Sequence, residues 1–223
     1  MIKPNVIIRT NRRSLSLTID KDGELIVRAP KRMDIDDILS FIKQKQKWIE
    51  TKQNQVKSSI LKNKKILDYE VFLFCGKLYK KVYVSKQKSI ELNDTVFIVP
   101  EGMTKDKEIR MIKKWYIDMT KQILDLRVKY FADLMQLNYS GLGIDNCKSR
   151  WGSCSKSGIL KFNLRLSMLS HKLIDYIIIH ELSHLVEFNH SNRFYKIISS
   201  IMPDWQGQRK KLKEYGYLLS LLR

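Results

Sequence analysis

With 223 residues, 43% of them hydrophobic, the chain is long enough to bury a core and too apolar for wholesale disorder. It has no run of about 18 apolar residues to span a membrane, no apolar secretory stretch at Met1 to Val6, and only three cysteines (Cys75, Cys147, Cys154), too few and too odd for a disulfide framework; a cytoplasmic location is expected. The formal charge of +19 leaves two readings open: an acidic partner such as nucleic acid, or a lysine-rich chain whose cations solvate exposed helix faces.

Ser14 to Asp20 alternates polar and apolar residues, which predicts a half-buried strand, with a hairpin turn at Lys21-Asp22-Gly23-Glu24 and a returning strand from Leu25 to Ala29. Asp34 can cap a helix whose first turn carries Asp36 and Asp37, carboxylates at the positive end of the dipole. Its apolar stripe is Ile38, Phe41, Ile42, Trp48 and Ile49, and fraying is expected between Lys52 and Lys65. Further strands are predicted at Val71–Phe74, Leu78–Val84, Ile90–Leu92 and Val96–Ile98, the last two flanking a turn at Asn93-Asp94, with Pro100–Gly102 closing the group.

Thr104 can cap a long helix to about Leu137, with Ile109, Ile112, Trp115, Tyr116, Met119 and Ile123 on one side. Residues 138–145 read as a loop and a strand entry, and Lys148–Cys154 and Ile159–Asn163 as two strands joined by 155–158. Ser170 caps a helix through Val186, Ser191 another through Ser200, and a last helix is expected from Trp205 to Leu221. The fold class is α+β: a β-rich N-terminal part with one helix over 1–103, then a helical part over 104–223.

The chemistry lies late in the chain, where residues 180–184 read His-Glu-Leu-Ser-His. On a helix, positions i and i+4 lie about 40° apart around the axis, so both imidazoles reach one ion. A catalytic zinc site takes three protein ligands and keeps one open position, and His190 is the third candidate. An unbroken helix would turn His190 about 240° away from His184, so the helix must end near Glu187–Asn189. Asn189 tolerates a left-handed helix terminus, and Ser191 can open the next helix. Glu181 sits where its carboxylate reaches a water rather than the metal, the place of a general base. Three of the four histidines fall in this eleven-residue window; the fourth, His171, reads as a solvated residue in a first helical turn.

Ser149-Arg-Trp-Gly-Ser-Cys154, Asn163-Leu-Arg-Leu166, Asp175-Tyr176 before the histidine motif, Asn189-His-Ser191 and Phe194 together resemble the YgjP-like metallopeptidases, zincins more distantly related to the SprT-like and WLM proteases. The likeness extends to Arg12-Arg13, Val27-Arg-Ala-Pro30 and Cys75-Gly-Lys77. It implies a zincin-like catalytic part, zinc on His180, His184 and His190, Glu181 as general base, and a hairpin whose edge strand holds an extended peptide. Metzincins share the histidine spacing, but Glu187 stands where they carry glycine.

Secondary roles stay open. Arg150 and Asn163 either bind substrate or serve the scaffold. Trp151 reads as packing, Cys154 as a structural thiol, and Met202 before Pro203 as a core residue at a helix end. Asp204 either supports a ligand imidazole or caps the helix at Trp205. The expectation is a zinc-dependent peptidase acting on peptide or protein substrates; the rival, resting on net charge, is a DNA-associated protease or nucleic-acid-binding protein with a zinc site.

Overall fold

The computed structural model describes residues 2–20, 22–67 and 71–222, with side chains of 59–67 excepted, and has α+β architecture. Two compact units divide the chain, residues 1–65 and 66–223. The strands at 71–100 therefore fall with the C-terminal helices, not with the N-terminal β-rich part as the division after residue 103 would have it.

In the first unit, β1 (Val6–Thr10), β2 (Ser16–Ile19) and β3 (Leu25–Pro30) form one sheet in the order β1-β3-β2. β2 and β3 make the predicted antiparallel hairpin. Its turn is set by Asp20, whose Oδ1 accepts from the amides of Asp22 and Glu24 at 2.9 and 2.8 Å, while Gly23 takes a φ of 87°. Lys21, also in the expected turn, lies outside the described residues. Leu25, Val27 and Ala29 alternate along β3 and pack with Ile38, Ile42 and Ile49.

Those isoleucines come from α1 (Ile35–Gln44) and α2 (Gln46–Leu67), separated by a break at Lys45. The fraying expected after Lys52 does not occur: lysine and glutamine are good helix formers, and buried Ile49 anchors the first turn of α2.

The second unit begins with β4 (Val71–Phe74), β5 (Lys77–Val84), β6 (Glu91–Leu92) and β7 (Val96–Pro100), ordered β4-β5-β7-β6. Phe72 of β4 stacks on Phe97 of β7 at 3.9 Å, and Phe97 meets the edge of Trp115 at 4.7 Å. Trp115 belongs to α3 (Lys105–Met135), capped as predicted by Thr104, whose hydroxyl accepts from Lys107 N. α3 buries Ile112, Tyr116, Thr120, Leu124 and Val128, one residue per turn. Tyr116 donates to the Leu73 carbonyl at 2.9 Å and Thr120 to the Leu164 carbonyl at 2.8 Å, so one helix is tied to both β4 and the segment before the metal motif.

A third sheet, β8 (Gly141–Asp145), β9 (Gly152–Cys154) and β10 (Ile159–Asn163), has β10 in the middle and β9 at an edge. α4 (His171–Ser183) follows, with Leu173, Ile174, Leu182 and the run from Tyr176 to Ile179 all buried; it packs against α3, β9, α5 (Asn192–Ile201) and α6 (Trp205–Glu214). α6 stops at Glu214 rather than near Leu221, and Gly216, a poor helix former, opens a short 3-10 turn instead. Among the described residues no helix is long and apolar enough to cross a membrane.

Candidate metal centre

α4 delivers His180 on its last turn and His184 directly after its end, with ring centroids 5.0 Å apart. There the helix tightens: the amides of His184, Leu185 and Val186 bond to the carbonyls of Glu181, Leu182 and Ser183 at 3.2, 3.0 and 3.1 Å. The break that the spacing demanded is present, but it comes directly after Ser183 rather than near Glu187–Asn189. Asn189 does not take the left-handed conformation expected of it, since the tightened turn redirects the chain without one. Ser191 caps α5 as anticipated, its Oγ accepting from Phe194 N at 3.3 Å.

The turn returns His190 to its neighbours. One ring nitrogen from each of His180, His184 and His190 lies within 4.8 Å of the others, and the Nε2 atoms of His180 and His190 are 3.1 Å apart. Nitrogens around a tetrahedral zinc lie about 3.3 Å apart, a separation the His180–His190 pair already has. Two of the three rings also favour the neutral form that binds a metal. Burial, then the neighbouring charges of His184, His190 and Arg209, lower the pKa of His180 to about 3, and burial also lowers that of His184. Nδ1 of His184 lies 3.1 Å from the Glu187 carbonyl oxygen; since a carbonyl only accepts, Nδ1 carries the proton and Nε2 keeps its lone pair.

Glu181 faces β9. A Cβ at Gly152 would sit 2.7 Å from both Cγ and Oε1 of Glu181, so the strand approaches the carboxylate only because residue 152 has no side chain. Burial raises the pKa of Glu181 to about 8, with the Arg150 charge pulling the other way. Gly152 belongs to the motif read in the sequence, but the close approach that requires glycine there is a fact of the fold and leaves no mark in the sequence.

Arg150 and Asn163 are not alike in this structure. The Arg150 side chain is 58% exposed and lies 4.0 Å from Asp145, at the rim. Asn163 is fully buried: its Nδ2 donates to the carbonyls of Cys147 and Arg150 at 2.6 and 3.0 Å, and its Oδ1 accepts from Arg165 Nη1 at 3.0 Å. Arg165 also donates to the Leu221 carbonyl through Nε at 2.6 Å.

Trp151 packs against the core, as does Met202. Cys154 is a half-buried thiol whose pKa burial raises, with the Glu181 charge adding to that. Asp204 precedes α6, and its carboxylate accepts from Gln208 at 2.8 Å. His171 is exposed on the first turn of α4. Sequence reasoning passed over Tyr195 and Trp205, which no motif marks and which stack beside His190.

A buried helix ending in His-Glu-x-x-His, with a third imidazole brought back by a turn, is the arrangement of a metallopeptidase. Residues 13–215 match the family model for the YgjP-like, metallopeptidase domain, and the chain belongs to that family. A crystal structure of the metallopeptidase zymogen of Pyrococcus abyssi abylysin is similar over 40% of this chain and 90% of its own, at 20% identity and a TM-score of 0.38. No curated protein matches the sequence.

Proposed function

We propose that the chain hydrolyses peptide bonds with a zinc ion held by His180, His184 and His190 and with Glu181 as general base. The observation that carries this reading is the convergence of three ring nitrogens within 4.8 Å, with a carboxylate buried to 6% exposure on the residue after the first of them. When bound, such an ion acts as a Lewis acid that polarises the scissile carbonyl and eases the deprotonation of water. Neutral imidazoles leave its charge undiminished, and a cation beside Glu181 favours the carboxylate that burial alone disfavours. Glu181 takes the proton of the attacking water at a carboxylate oxygen and returns it to the departing amine.

The substrate lies extended along the outer edge of β9, which among the described residues pairs with β10 alone. Gly152 at the head of that strand puts the peptide next to Glu181, and Arg150 stands at the rim to meet developing negative charge.

Glu181→Gln removes the base and leaves the three imidazoles untouched. It should abolish turnover, read by proteome-wide cleavage profiling against wild type, while zinc by elemental analysis stays at one per chain. Retained hydrolysis rejects the base; lost zinc rejects the separation of base from ligand set.

A further inference from the structure

His180 and His184 take their places from α4, and the Glu187 carbonyl further fixes His184. His190 has neither support. It lies exposed between α4 and α5, and among the described residues its ring meets no hydrogen-bond partner besides His180 Nε2.

Its surroundings are aromatic. Phe194 meets the His190 ring edge-on, with centroids 4.8 Å apart at 82°. Tyr195 lies over it nearly parallel, at 6.3 Å and 27°. Tyr195 is itself held from α6: Trp205 stacks on it at 4.5 Å and 12°, and the Arg209 guanidinium carbon sits 5.4 Å from its ring centroid. Trp205 and Arg209 are four residues apart on α6 and so share a face. The fully buried side chains of α5 are Phe194 and Ile198, whereas Tyr195 and Trp205 are partly buried and pack at the margin of the core.

We infer that Tyr195, clasped by Trp205 and Arg209, is a positioning residue that orients the His190 ring for metal binding. The inference rests on the ligand set proposed above. It makes metal affinity depend on α6, a helix that contributes no ligand.

The test is competition between the full-length protein and a chromophoric chelator for Zn2+. Tyr195→Leu and Trp205→Leu should each weaken affinity by about 10- to 100-fold, the range for residues that orient a ligand. Tyr195→Phe should keep wild-type affinity, because the ring acts and not the hydroxyl. In a His190→Ala background Tyr195→Leu should add no further loss, since its effect passes through the missing imidazole. Wild-type affinity in both leucine variants overturns the inference, as does an undiminished loss when His190 is absent. Should Tyr195→Leu fail to give the cooperative melt of the metal-free protein, Trp205→Leu alone decides, with the same outcomes. Unchanged affinity in His190→Ala is a separate result: it rejects the third ligand, and the inference with it.

Discussion

A single methyl group separates Gly152 from a clash with the base: a Cβ there would stand 2.7 Å from Glu181 Oε1, well inside van der Waals contact. Gly152→Ala forces either the strand or the carboxylate to move, and both carry the chemistry proposed above. Misplacing a catalytic group by about 1 Å costs on the order of 100-fold in rate. Gly152→Ala is expected to lower kcat by about that factor while zinc content stays near wild type; an unchanged kcat would show that the carboxylate has room to retreat. Arg150 behaves differently, because an exposed guanidinium 4.0 Å from Asp145 sits in water that screens both charges.

At the scale of elements, the Asn163 side chain ties down the loop before β9. The buried Asn163 donates to the carbonyls of Cys147 and Arg150 and accepts from buried Arg165. Asn163→Ala strips partners from these groups at once, and each unsatisfied buried group costs about 1–3 kcal/mol. A loss of about 2–4 kcal/mol is expected in denaturant unfolding of the metal-free protein; a loss below about 0.5 kcal/mol would mean that the loop finds other donors.

This role could not be read in advance, because hydrogen-bond partners 13 and 16 residues away leave no local pattern. Features with a local cause were legible. Thr104 and Ser191 cap their helices through their own hydroxyls, Asp20 and Gly23 make the turn between β2 and β3, and the histidine spacing demanded a broken helix. What failed left no residue pattern to read. β1 is fixed by parallel pairing with β3 and lacks clear alternation, and the helix end after Ser183 is set by tightened backbone bonds, not by Asn189.

At the scale of the molecule, the same limit explains the division into units. Alternation marks the strands between 71 and 100 but does not say what they pack on, and their partners are Tyr116 and Trp115 of α3. A fragment of residues 66–223 should therefore melt cooperatively and bind zinc. A fragment of 104–223, which exposes the face of Ile112 and Tyr116, should do neither by calorimetry and metal titration. Equal behaviour of the two would show that the four-stranded sheet is dispensable.

The unequal footing of the three imidazoles reaches further. α4 is buried along most of its length, where opening is expected to require unfolding of the unit as a whole, whereas His190 lies exposed on a surface turn, where local opening is expected to cost less. The centre then resembles a fixed jaw with one hinged arm. An ion would enter and leave at the pace at which that arm swings, and exchange of the metal would be uncoupled from the lifetime of the fold.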